Sequence, residues 1–218
     1  MVLTKEIPLP PVCLREVLRY AGCRRETEEL TALLQSCIRE AEPVLVRRVC
    51  WRELPVSVEG GVCRLGGGSI ASRNLAENLA DCSRVVVFAA TVGVQLDRLI
   101  ARWGVASPAR AVMLQALGAE RVEALCDAFC RQLEQETGMG QRPRFSPGYG
   151  DLPLEVQRTL FSLLEPMRHI GLSLTDSLLM SPTKSVTAFV GLTEMPTQVH
   201  PDKCALCEKK DCAFRGAI

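Results

Sequence analysis

The segment Arg144-Phe-Ser-Pro-Gly148-Tyr149-Gly150-Asp-Leu-Pro153 sets a guanidinium beside a turn that prolines stiffen and glycines open. Such a turn suits bidentate clamping of a carboxylate by arginine while backbone groups meet a flat ligand edge. Tyr149, one of only two tyrosines in the chain, adds an amphipathic ring to it. The bland rival is an ordinary surface turn. A second constellation closes the chain: Cys204-Ala-Leu-Cys207-Glu-Lys-Lys-Asp-Cys212 has the Cys-x2-Cys step that brings two thiolates to one metal, with a third five residues on. Zinc would take His200 as a fourth ligand, and an iron-sulfur cluster would take three thiolates and an outside ligand. The competing reading is a polar tail with three reactive thiols and no metal.

Other candidates carry less chemistry. Cys126 and Cys130 stand one helical turn apart, but no further ligand completes a metal site, and packing is the simpler role. Cys37, Cys50, Cys63 and Cys82 fall in apolar runs where a thiol behaves as a small hydrophobe. Gly66-Gly67-Gly68 lacks the following Lys-Ser/Thr of a phosphate loop and reads as a mobile turn. His169 precedes an apolar run and is read as packed or capping. No serine or cysteine sits in a nucleophile elbow, so hydrolase chemistry has no support.

Elements must position these residues. Helices are expected at Pro11 to Tyr20, Leu30 to Ala41, Ser72 to Ala80, Val94 to Trp103, from the Ser107-Pro108 start to Thr137, and at Leu154 to Leu164. Strands are expected at Val44 to Trp51, in a hairpin around Glu59-Gly60-Gly61, and at Arg84 to Thr91, with β-like runs at Ile170 to Leu174, Ser177 to Met180 and Ser185 to Leu192. Because β-α-β alternation is interrupted, the fold class is α+β rather than a doubly wound parallel sheet. Residues 1–195 form one unit in this reading, with 196–218 a cysteine-containing tail.

Composition excludes several classes. Among 218 residues, Lys+Arg 26 against Asp+Glu 25 leaves a formal charge of +1, without the basic footprint of a nucleic-acid protein. The first eleven residues mix Lys5, Glu6 and three prolines and lack a secretory apolar region, so the cytoplasm is expected. Val85 to Val94 reaches only about half of the ~20 apolar residues that a membrane crossing needs. In a reducing compartment the eleven cysteines remain thiols or bind metal.

The motif R-x-x-x-G-Y at Arg144 to Tyr149, Pro153 after it, and His169-Ile-Gly-Leu-Ser-Leu-Thr-Asp-Ser-Leu-Leu-Met resemble the activation domain of cobalamin-dependent methionine synthase. Glu16, Arg19 and Tyr20, then Ala90-Thr91-Val92-Gly93, and then Cys126-Asp127-Ala128-Phe129 resemble its free-standing members. The resemblance implies a C-shaped α+β layer with a twisted, mainly antiparallel sheet flanked by helices, and a shallow S-adenosylmethionine site. It implies that Arg144 pairs with the methionine carboxylate and that backbone around Ser146 and Gly148 meets the adenosyl part. It implies that Tyr149 faces the corrin as the catalytic position, and that Asp127 and Glu16 are acidic contacts. Asp127 also has a physical argument: it lies about 200° around its helix from Leu125, away from the apolar stripe, although Glu123, Asp127 and Arg131 equally make an i, i+4 charge series.

The function so implied is reactivation of a corrinoid-dependent methyltransferase by reductive methylation of cob(II)alamin. Cobalamin would be supplied by a partner module, and the electron by a flavodoxin or ferredoxin-type donor. The homocysteine, folate and cobalamin modules of the full enzyme are missing, so the chain would be one component of that system. The alternative is an iron-sulfur or zinc redox protein acting through Cys204, Cys207 and Cys212. A Rossmann-type methyltransferase is disfavoured by the lack of a glycine-rich strand-to-helix turn.

Overall fold

Seven of the eight residues of Arg84–Thr91 (β5) are buried, so this strand must be covered on both faces and flanked on both edges. A computed structural model, describing residues 1–23 and 25–195, shows how. Strand β2 (Arg48–Glu59) pairs with one edge of β5, and β9 (Ser185–Thr193) with the other. The far edge of β2 holds first β1 (Leu3–Glu6) and then β3 (Val62–Leu65), and β4 (Gly68–Ala71) follows β3. The two-residue β6 (Gly140–Gln141) adds to the outer edge of β9. Every pairing is antiparallel, and β7 (Ser173–Leu174) with β8 (Met180–Ser181) makes a separate ribbon.

Alternation along the strands then builds two cores. Val86, Phe88, Ala90, Ala188 and Val190 face α1 (Leu14–Tyr20), α2 (Glu28–Ala41), α4 (Val94–Ala106) and α5 (Pro108–Thr137). Val85, Val87, Ala89 and Phe189 face α3 (Arg73–Leu79), α6 (Val156–Leu164) and α7 (Pro166–Ile170). The 30-residue α5 is the main cover: Leu114, Leu117, Leu125 and Phe129 are buried along it, and Phe129 packs on Phe88 and Trp51 at ring separations of 5.0 and 5.3 Å. Gly138 ends it in the left-handed conformation at φ 64°. The α+β expectation, the α5 boundaries and β5 agree with this structure.

Several local expectations do not. The sequence pattern predicts two strands, Val44 to Trp51 and a hairpin arm from Val56, whereas β2 is one strand that starts at Arg48 and runs through Pro55 to Glu59. That proline lies in the interval, 52–55, where the β2 edge pairs with neither β1 nor β3, so its missing N–H costs no ladder bond. Gly66 and Gly67, both at positive φ, form the two-residue turn between β3 and β4, since only such residues match that turn to the strand twist. Residues 166–170, partly read as β-like, are helical because Pro166 opens the turn and Gly171 closes it at φ 72°. Ser107 makes no side-chain cap bond, and Pro108 alone marks the α5 start, whereas Thr27 and Ser72 do cap α2 and α3.

Candidate ligand-binding site

Beyond β6 the chain keeps running along β9. Arg142 N–H donates to Gly191 O at 2.9 Å, and Phe145 and Phe189 exchange both backbone bonds at 3.0 and 2.8 Å. Phe145 packs into the α3/α6/α7 core, so its neighbours Arg144 and Ser146 are directed to the α5 side. There Arg144 Nη2 meets Glu123 at 2.8 Å and Nη1 meets Asp127, two carboxylates one helical turn apart. Burial disfavours the Arg144 cation, but the charge and hydrogen bond of Asp127 hold it above its ordinary value. Burial likewise raises the Cys126 and Cys130 thiols, keeping them neutral beneath the guanidinium.

Helix α1 approaches the same place. Glu16 is bonded to Arg19 at 2.7 Å, the Arg19 guanidinium lies 4.3 Å over the Tyr20 ring, and Tyr20 is held above its ordinary pKa by burial and by the Glu123 charge. Glu16 thus sits on the Arg19–Tyr20 side of α1, and Tyr20 lies within electrostatic reach of Glu123. What seats α1 is a buried ion pair on α5: Arg121 bonds Glu120 at 2.5 Å and donates to Pro10 O at 2.8 Å and Pro11 O at 3.3 Å, while Glu120 accepts from Cys13 N–H at 3.0 Å. Tyr20 also lines a cavity of about 520 Å³ with Ala119 and Lys184.

The loop after Arg144 is folded on itself and latched at a distance. Gly148 N–H donates to Leu152 O at 2.9 Å, and Tyr149 N–H to Ser146 O at 3.2 Å. The Asp151 carboxylate accepts from Ser72 Oγ at 2.5 Å, Arg73 N–H at 2.7 Å and Asn74 N–H at 3.1 Å. Asp151 N–H returns a bond to Asn74 Oδ1 at 3.1 Å. Gly150, at φ 55°, lies so close that a Cβ would collide with Asn74 Oδ1. Held in this way, Tyr149 is 68% exposed.

Among the described residues one edge is left open between this loop and α5. The Phe145 bridge is the last described pairing on the outer side of β9, and period two turns the Thr187 N–H and C=O to that same side. Thr187 Oγ1 is buried and has no hydrogen-bond partner among the described residues. Neither Thr187 nor Asp151 stands out in sequence, because one is an unexceptional strand threonine and the other reaches a partner 79 residues away. Glu123 was visible only as part of a charge series.

The remaining candidates separate from this cluster. His200, Cys204, Cys207 and Cys212 lie outside the described residues. Among the described residues no group of three or more His, Cys, Asp or Glu could hold a metal ion. Cys37, Cys50, Cys63 and Cys82 are buried, with the Cys50 thiol pushed up to about 12 by desolvation. Concavities of about 520 and 480 Å³ flank the Gly66–Gly68 turn, and their lining includes no acid and no histidine. No helix among the described residues is long and apolar enough to cross a membrane.

The described residues thus form an antiparallel α+β layer that carries an Arg–carboxylate cluster at a strand edge. The chain belongs to the family of vitamin B12 dependent methionine synthase activation domains, matched over residues 74–199. Its fold is similar to that of a crystal structure described as the MetH reactivation domain bound to AdoHcy, with TM-score 0.66 and 16% identity over 88% of this chain and 78% of that one. No curated protein matches the chain in a sequence comparison.

Proposed function

We propose that the chain binds S-adenosylmethionine at the Arg144 cluster and presents its methyl group to the cobalamin-bearing module of a methionine synthase or related methyltransferase. The observation that carries this is the charge arrangement: one cation, Arg144, between two carboxylates, Glu123 and Asp127, beside an open strand edge. An amino-acid zwitterion fits it with opposite polarity, its carboxylate on Arg144 and its ammonium between Glu123 and Asp127. Glu16, bonded to Arg19, is the acidic contact that α1 would offer beside them. The adenosyl group then extends along the loop backbone at Ser146 and Gly148, where the backbone of the β9 edge at Thr187 supplies hydrogen bonds. The neighbouring structure's AdoHcy, the demethylated form of the same ligand, accords with this reading.

Bound there by Arg144, Glu123 and Asp127, the sulfonium would offer an activated methyl group, and the partner's cobalamin would supply the methyl-accepting chemistry. An outside donor of flavodoxin or ferredoxin type supplies the electron. This chain's residues contribute no nucleophile; they hold the donor and shape the face it presents. Tyr149, exposed at the tip of the latched loop, is suited to cover the ligand on the side from which the corrin approaches. Residues 1–195 would be the working unit. An iron-sulfur or zinc role for Cys204, Cys207 and Cys212 remains the second reading, resting on their spacing alone.

Calorimetry with AdoHcy tests the assignment. Arg144→Ala should weaken binding about 10- to 100-fold, the equivalent of a charge-assisted hydrogen bond worth ~1.5–3 kcal/mol. Wild-type affinity in that variant would remove the basis of the proposal.

A further inference from the structure

We infer that Asp151 is a positioning residue for this site: it sets the Ser146–Tyr149 turn against the ligand by latching it to the start of α3, on the far side of the sheet from Arg144's carboxylate partners. The inference rests on the S-adenosylmethionine reading above and adds to it a residue that never touches ligand.

Three observations converge. The Asp151 carboxylate takes three short hydrogen bonds, from Ser72 Oγ, Arg73 N–H and Asn74 N–H, and its own N–H is returned to Asn74 Oδ1. This reciprocity resembles a capping box, but the acid comes from another segment instead of the helix's own first turn. Ser72 works in both directions, because its hydroxyl donates to Asp151 and accepts from Leu75 N–H at 3.1 Å. Gly150 lets the backbones approach as closely as they do, since a Cβ there would strike Asn74.

The location explains why a latch is needed. Up to Phe145 the segment is held by the β9 ladder, and from Val156 by α6. Residues 146–152 have only three internal backbone bonds, Gly148 to Leu152, Tyr149 to Ser146 and Leu152 to Tyr149. Without an outside anchor, a seven-residue turn with two glycines would sample many conformations, and binding would have to select one. Leu152 is buried in the α3/α6/α7 core at the end of the segment, and Asp151 adds the polar anchor one residue beyond Gly150 and two beyond Tyr149. Its carboxyl is held below the usual range chiefly by the Ser72 hydrogen bond, so the latch stays ionised at neutral pH.

The full chain with 3-fluorotyrosine gives a direct readout, because its two tyrosines yield two fluorine resonances, Tyr20 and Tyr149. In Asp151→Asn the Tyr149 resonance should shift or broaden while Tyr20 stays in place, and AdoHcy affinity by calorimetry should fall about tenfold. Ser72→Ala added to Asp151→Asn should cost less than the sum of the singles. Movement of both resonances would mean a general structural defect and overturn the positioning role. Unchanged affinity alongside a displaced Tyr149 would overturn it equally. If wild-type protein binds no AdoHcy, the ligand reading fails, while the fluorine spectra still decide whether Asp151 holds the loop.

Discussion

Arg144 is a cation that already has two anionic partners, and this makes the roles of Glu123 and Asp127 separable by experiment. If both carboxylates receive a ligand ammonium, the double variant Glu123→Gln/Asp127→Asn binds AdoHcy more weakly than wild type. If they only compete for Arg144, removing them frees the guanidinium and binding tightens. We expect weakening of about tenfold or more in calorimetry, as one charge-assisted contact is lost. Asp151 gives the pH counterpart. Its folded pKa is depressed, so its contribution is present above the ordinary aspartate value of ~3.9 and is lost as pH falls through the lower folded value. AdoHcy affinity should therefore show no loss from this group between pH 8 and about 5. At this scale the sequence exposed Arg144, Gly148 and Tyr149 through their motif. The resemblance pointed to Asp127 and left Glu123 in a charge series, because the bond of Glu123 to Arg144 depends on where α5 lies.

Elements bring those residues together. Glu123 and Asp127 point outward from α5 because Val122, Leu125, Cys126 and Phe129 fill the sheet side of the same helix. Arg144 points toward them because β9 holds Phe145 in register with Phe189. Helix α1 depends on the buried Glu120–Arg121 pair, whose remaining hydrogen bonds go to the backbone of residues 10–13. Arg121→Met leaves Glu120 buried without its cation, a change that typically costs about 3–5 kcal/mol. Urea unfolding should show a loss of that order, and Glu120→Gln/Arg121→Met should recover part of it. The long periodic elements, α2, α5 and β5, were legible from their spacing, since each buries a continuous stripe or run. The short ones were not: β1 is exposed at all four residues, and β6 is two residues long, so neither leaves a periodic trace.

Across the whole of the described residues, an antiparallel sheet covered on both faces ends at an open strand edge where the loop, α5 and β9 meet. Its formal charge of +1 provides no bulk field to guide a partner. Association with a cobalamin-bearing module should accordingly depend on shape and local contacts, and its rate should change by less than about threefold between low and physiological salt. Stopped-flow measurements at the two ionic strengths check this, and a steep fall would reveal a local charged patch. From the sequence alone followed the α+β class, the family resemblance and the motif loop with its arginine and tyrosine, because hydrophobic period, turn chemistry and motif spacing are local properties. Only the tertiary structure decided that Arg144 lies between Glu123 and Asp127, that the Glu120–Arg121 pair seats α1, and that Asp151 grips Ser72 across 79 residues. Those contacts are set by strand register and helix packing, which bring distant segments within hydrogen-bond reach and have no signature in the spacing of either segment.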